Sequence, residues 1–169
     1  MNSRPVKIFL LTFSILLPSI FPINPALAGE FRNLEEVKFH YAIKDDYLTL
    51  ICKYNDLYDN WVNALQEDTP DLDQYWSNVD MYNSQLITQN NKIIKFLNTK
   101  KNKFPKKARK TVSDFSKFLS NENRLLKLAL NTDSIEDYEQ YVTEINDNEM
   151  GAKYSSTIRS ALKLPSGGC

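Results

Sequence analysis

Apolar residues along this chain recur with the period of a helix. Leu34, Val37, Tyr41, Leu48, Ile51, Tyr58, Val62 and Leu65 are spaced by threes and fours or their sums, which places them on one stripe, interrupted at Lys44. Asn33 can cap its start, with Glu36 three residues on in a capping-box arrangement. A second stripe, through Leu72, Trp76, Val79, Leu86, Ile93 and Leu97, follows Thr69-Pro70, a cap and a proline at the first helical position. Pro105 opens a third, with Ala108, Val112, Phe115, Leu119, Leu126 and Ala129 turned inward. After the capping residues Asn131 to Ser134, a fourth carries Ile135, Tyr138, Val142 and Ile145, and continues past Gly151 through Tyr154, Ile158 and Leu162.

Between Glu30 and Leu164 the only prolines are Pro70 and Pro105 and the only glycine is Gly151, so the punctuation that strands and tight turns require is nearly absent. Four helices of about 40–50 Å, joined by short connections, pack most economically as an all-α, up-down-up-down four-helix bundle.

The first 28 residues read differently. Arg4 and Lys7 precede an uncharged stretch from Ile8 to Gly29, which ends in the small-residue pattern Ala26-Leu27-Ala28. The stretch is long enough to span a bilayer, but Pro18, Pro22 and Pro25 break its second half and leave an apolar helix of about ten residues, the size of a signal h-region. The expected organisation is a signal peptide over 1–28, a bundle domain over 29–164 and a flexible tail over 165–169. The mature protein is then exported to a periplasm, a lumen or the extracellular space.

Cleavage removes two of the 21 basic residues and none of the 21 acidic ones, so the mature net charge is −2. That is too near neutral for a general nucleic-acid binder, and no nucleic-acid partner is expected. The distribution says more than the sum. Tyr54 to Asp80 holds seven acids and no base, Met81 to Ser113 nine bases and no acid, and Leu128 to Glu149 seven acids and no base. In an up-down bundle the first and third connections share one end, which is therefore acidic, and the second lies at the other, which is basic. Lys106, Lys107, Arg109 and Lys110 crowd the first turns of the third helix, where the positive end of the helix dipole disfavours cations. Departures from a local rule of this kind often mark a functional site. Lys100, Lys101, Lys103, Phe104, Lys106, Lys107 and Lys110 are the candidate partner-binding residues, with Phe104 as an apolar residue at the loop tip.

Catalytic constellations are missing. His40 is the sole histidine, there is no G-x-S-x-G elbow, and a bundle di-iron site needs two Glu-x-x-His pairs. A His/Met haem fails on register, because His40 is level with about residue 156 and Met150 is some 9 Å away. Neither Asp71-Leu72-Asp73 nor Asn146 to Glu149 has the spacing or glycine of a calcium loop. No metal and no cofactor are expected.

Trp61 and Trp76 are expected to meet on facing helices near Tyr58 and Tyr75, and would form a second partner surface if exposed. Cys52 lies about 28 Å from the end where the chain terminates, whereas five residues beyond Leu164 span at most about 17 Å. An internal disulfide is therefore disfavoured unless the fourth helix stops early, and Cys169 is expected to be mobile and free, or joined to another molecule.

These features point to an exported, non-enzymatic accessory or assembly protein. Its basic end would dock on an acidic protein, a membrane-associated complex or an anionic membrane surface. The alternatives are a small-ligand or cofactor carrier, with a polar-lined cavity near Lys44 or Asn90, and an enzyme, which needs a cleft of convergent acids.

Overall fold

The computed structural model describes residues 34–67, 71–132, 134–146, 149–165 and 169. The signal segment and its cleavage site, Asn33, Thr69-Pro70, Asp133 and the side chain of His40 lie outside the described residues. Among the described residues five helices make an all-α bundle: α1 (Leu34–Leu65), α2 (Leu72–Lys100), α3 (Arg109–Leu130), α4 (Ile135–Asn146) and α5 (Met150–Ala161). Asp71 caps α2, its carboxylate accepting from the Gln74 amide at 3.0 Å.

Hydrogen bonds between the helices fix their directions. Tyr75 Oη donates to the Leu65 carbonyl at 3.3 Å and Gln89 Nε2 to the Leu50 carbonyl at 2.7 Å, so α2 descends as α1 climbs. Asn90 Nδ2 donates to Asn123 Oδ1 at 3.1 Å, while Val79 groups with Ala129 and Leu97 with Val112, which makes α3 antiparallel to α2. Tyr58 Oη donates to Asn146 Oδ1 at 2.7 Å and Tyr47 Oη to Ser155 Oγ at 3.3 Å. The fourth rod therefore runs against α1.

That rod is not continuous, contrary to the expectation from periodicity. α4 ends at Asn146, Glu149 lies in a turn, and α5 is a separate helix from Met150 with Gly151 against α3. A β-carbon at Gly151 would come within 2.8 Å of the Phe118 ring, so only glycine lets α5 approach this closely.

Three apolar groups stack along the bundle. Phe104, Leu97, Val112 and Leu162 belong to the group at one end, Trp61, Leu86 and Leu126 to the middle, and Ala64, Val79, Ala129 and Tyr138 to the far end. Between and among them lies a buried polar layer. Glu122, 4% exposed, accepts from Tyr54 Oη at 2.9 Å and from Asn90 Nδ2 at 2.8 Å, and Asn123 Nδ2 donates to Asn91 Oδ1 at 3.0 Å. Burial pushes the Glu122 carboxyl above the ordinary carboxylate range, against the lowering effect of those hydrogen bonds.

The two tryptophans do not form the expected pair. Trp61 is fully buried and tilts over Tyr58 at 5.4 Å, whereas Trp76 packs edge-on to Tyr75 at 5.1 Å and Tyr138 at 5.0 Å. Trp61 thus offers no surface to a partner.

The cysteine expectation is overturned. Cys52 and Cys169 form a disulfide with a Cα–Cα distance of 5.1 Å, and both thiols are consumed by it. Two features shorten the path. Tyr58 is level with Asn146 and Tyr47 with Ser155, so the whole fourth rod sits farther along α1 than the register with His40 level with residue 156 would put it. The chain then reverses: Lys163 takes a left-handed conformation (φ 55°), the Leu164 amide donates to the Arg159 carbonyl at 2.9 Å and the Lys163 amide to the Ser160 carbonyl at 3.1 Å, a Schellman cap. Arg159 Nε holds the Pro165 carbonyl at 3.2 Å, and Asn55 Nδ2 approaches Cys169 Sγ at 3.7 Å. With the Pro165 carbonyl held back at Arg159, Cys169 comes to Cys52. Residue 169 is consequently anchored, not loose.

Candidate docking site

The connection between α2 and α3 is built from two short 3₁₀ turns, Lys101–Lys103 and Lys106–Ala108, on either side of Phe104-Pro105. The Phe104 amide donates to the Lys101 carbonyl at 3.2 Å and the Ala108 amide to the Pro105 carbonyl at 2.8 Å. Arg109 closes the loop from within. Its Nε reaches the Phe104 carbonyl at 3.0 Å and its Nη2 the Asn102 carbonyl at 2.7 Å, spending the guanidinium on otherwise unpaired backbone acceptors.

Phe104 corrects the sequence reading. It is not an apolar tip but a core residue, 1% exposed, with its ring edge-on to Tyr47 at 6.3 Å and Phe96 at 6.0 Å. Pulled inward, it pins the loop to α1 and α2, and the lysines around it are held outward. Lys100, Lys101, Lys103, Lys106, Lys107 and Lys110 are all exposed, on one end of the bundle. Sequence reasoning placed these six correctly on a surface and misplaced the seventh, because a lone phenylalanine between lysines carries no period from which a direction can be read.

The far end contrasts. Glu67, Asp71, Asp73 and Asp80 are exposed around the connection after α1, and Glu136 and Asp137 are exposed at the start of α4. The apolar group at that end, Ala64, Val79, Ala129 and Tyr138, joins residues beside both acidic connections, so the two lie together and opposite Phe104.

Local charges at the basic end are partly countered. Lys110 Nζ pairs with Asp114 at 2.7 Å, which raises the lysine above its ordinary range and holds the Asp114 carboxyl below its own. Lys101 and Lys117 add to the lowering at Asp114, which puts both near the same carboxylate. Lys44 is also depressed, first by burial and then by the neighbouring charge of Lys163.

Some cations on the flanks of α2 and α3 were not among the candidates. Lys92, Lys95, Lys117, Arg124 and Lys127 are exposed along the shafts of these helices. The signal was available: from Met81 to Leu130 the only acids are Asp114 and Glu122, and the structure engages the first with Lys110 and buries the second.

Asn90, a suggested lining of a ligand cavity, instead hydrogen-bonds within the layer around Glu122. Among the described residues no three His, Cys, Asp or Glu side chains converge as metal ligands, and no helix is long and apolar enough to cross a membrane. The chain matches no protein-family model, and neither the curated proteins nor the solved structures provide a match to it.

Proposed function

We propose that this is an exported, non-enzymatic bundle protein that acts as an accessory or assembly factor by docking its basic end on an anionic partner surface. The partner is an acidic protein, a membrane-associated complex or the membrane itself. The carrying observation is the group of six exposed lysines on a loop held rigid by the buried Phe104 and the Arg109 clamp. A pre-ordered loop loses little conformational freedom on binding, so the charges act without an ordering cost. The crowding of cations at the start of α3 fits the same reading, since the helix there lacks the acids that would suit its dipole.

The export part of the proposal covers a signal over residues 1–28, cleaved after Ala28. The Cys52–Cys169 disulfide supports it, because structural disulfides persist in oxidising compartments. The burial of Phe104 makes the docking purely electrostatic, without an inserted apolar anchor.

Binding to an anionic partner should therefore weaken as salt is raised through the physiological range. A variant carrying Lys103→Glu, Lys106→Glu and Lys107→Glu should bind at least about tenfold more weakly with an unchanged melting temperature. Pull-down of partners and vesicles across a salt series measures both. Binding that is insensitive to salt and to this triple change would refute the proposal.

A further inference from the structure

The basic surface does not stop at the end of the bundle. Asn91 on α2 and Asn123 on α3 hydrogen-bond across the seam between these helices, and Asn91 is itself exposed, so the seam reaches the surface there. Lys95 is four residues after Asn91 and Lys127 four after Asn123, which sets both lysines beside the seam. Lys110, Lys117 and Arg124 follow one another at intervals of seven on α3, a single stripe about 21 Å long that begins at the basic loop. From Met81 to Leu130 the only carboxylate at this surface is the partly exposed Asp114, engaged with Lys110; Asp73 and Asp80 stand exposed at the far end of α2, and Glu144 of α4 borders the stripe at Arg124. On the other pair of rods acids predominate: Asp56 and Asp59 on α1 and Glu136 and Glu139 on α4 are exposed, beside the exposed Lys53 and Lys153. Charge is therefore segregated across the width of the bundle as well as along its length.

We propose that the α2–α3 hairpin lies lengthwise on an anionic lipid bilayer along its stretch from Met81 to Leu130, with Asp56 and Asp59 of α1 and Glu136 and Glu139 of α4 turned away. This rests on the reading of the basic end as a docking surface and extends it to the partner and the orientation. A long basic flank on a rigid bundle suits a flat, extended surface better than a compact acidic patch. The composition of the flank favours lipid over a structured partner. Its cations are lysines apart from Arg124, which also faces Glu144 at 3.9 Å, and a lysine is a point charge on a flexible stem that imposes no fixed geometry on its partner. Lateral diffusion lets headgroups gather under irregularly spaced lysines, whereas carboxylates on a folded protein would have to match their pattern. Asn91, Asn98 and Ser120, exposed among the cations, hydrogen-bond to headgroups but cannot enter the acyl region. The attachment is peripheral and reversible, driven by the attraction of several lysines to a negative leaflet.

Three forms of the protein, recovered after export with the disulfide intact, distinguish the possibilities: wild type, the loop variant Lys103→Glu/Lys106→Glu/Lys107→Glu, and a flank variant Lys95→Gln/Lys117→Gln/Lys127→Gln. Each is co-sedimented with phosphatidylcholine–phosphatidylglycerol vesicles and with pure phosphatidylcholine vesicles across a salt series, and its melting temperature is checked. Wild type should bind only the phosphatidylglycerol vesicles, and the flank variant should bind them about a hundredfold more weakly, as three lysine contributions multiply. Loss in the loop variant alone would overturn the lengthwise orientation and leave end-on docking standing. No vesicle binding, with salt-sensitive retention on immobilised heparin or an acidic protein, would overturn the bilayer as partner while the basic-end reading survived. Vesicle binding indifferent to salt would remove both. Should the flank variant melt early, the single changes Lys95→Gln and Lys127→Gln carry the same comparison, each expected to weaken binding about fivefold.

Discussion

Glu122 is the residue whose surroundings depart furthest from what its side chain prefers. It occupies a slot of the apolar stripe of α3, between Leu119 and Leu126, and is buried with Tyr54 and Asn90 as its hydrogen-bond donors. The cost of burying the carboxylate raises its pKa above the ordinary value of 4.5, so the folded state holds this proton more tightly than the unfolded chain does. Stability linked to Glu122 is therefore gained as pH falls from the raised folded value to the unfolded one, and is lost as pH rises through that window. The melting temperature should climb on acidification toward the ordinary glutamate range. Glu122→Gln, which keeps an amide in the same network, should flatten that slope and stabilise the protein at pH 7 on the order of 1 kcal/mol. A steeper slope in the variant would mean that another group titrates. Of this layer only Asn90 stood out in the sequence, as a polar break in an apolar stripe, although Glu122 holds a corresponding slot in α3 between Leu119 and Leu126. The partners of Glu122 were not legible, because they come from two other helices.

At the scale of elements, the helices themselves follow from local pattern: α1 ends at Leu65 and α2 at Lys100, close to the limits of their apolar stripes. The fourth rod is the exception. Its residues keep a helical period from Ile135 to Leu162, so periodicity alone favours one long helix, whereas α4 and α5 are separate helices with a turn at Glu149. Gly151 faces the Phe118 ring there, and Phe118 in turn stacks on Phe115 at 6.2 Å and meets Tyr154 at 6.1 Å. Alanine normally stabilises a helix by about 1 kcal/mol over glycine. Here Gly151→Ala should instead destabilise by about 1–2 kcal/mol, because the added methyl meets a ring that its neighbours hold in place. Denaturant unfolding of Gly151→Ala alone and with Phe118→Leu measures this: the smaller residue should restore most of the loss, and two independent, additive effects would contradict the assigned contact.

For the whole molecule, alternating helix directions turn charge blocks in a linear sequence into ends of opposite sign. The same packing adds a transverse separation that the blocks did not reveal. The disulfide belongs to this scale too, because it joins residues 117 positions apart and ties the C-terminus to the middle of α1. Closing so long a loop restricts the unfolded chain, and reduction or the pair Cys52→Ser/Cys169→Ser should cost about 2–5 kcal/mol. Thiol titration of the denatured, unreduced protein should find no free thiol, and the melting temperature should drop on reduction. Two titratable thiols, or a disulfide-linked dimer on a non-reducing gel, would contradict the intramolecular bond. Since neither cysteine lies among the basic residues, the reduced protein should keep its salt-sensitive docking at temperatures where it remains folded.

What the sequence by itself determined is the helical class, the number of rods and the sign of charge at each connection. These depend on spacing within a segment and on the alternation that short connections impose. Tertiary structure alone decided that Phe104 turns inward, that Glu122 meets Tyr54, that the fourth rod breaks and that Cys169 finds Cys52. Each of these depends on the axial register between rods, and register is set by the fit of side chains from distant segments, of which the period within any one helix carries no record.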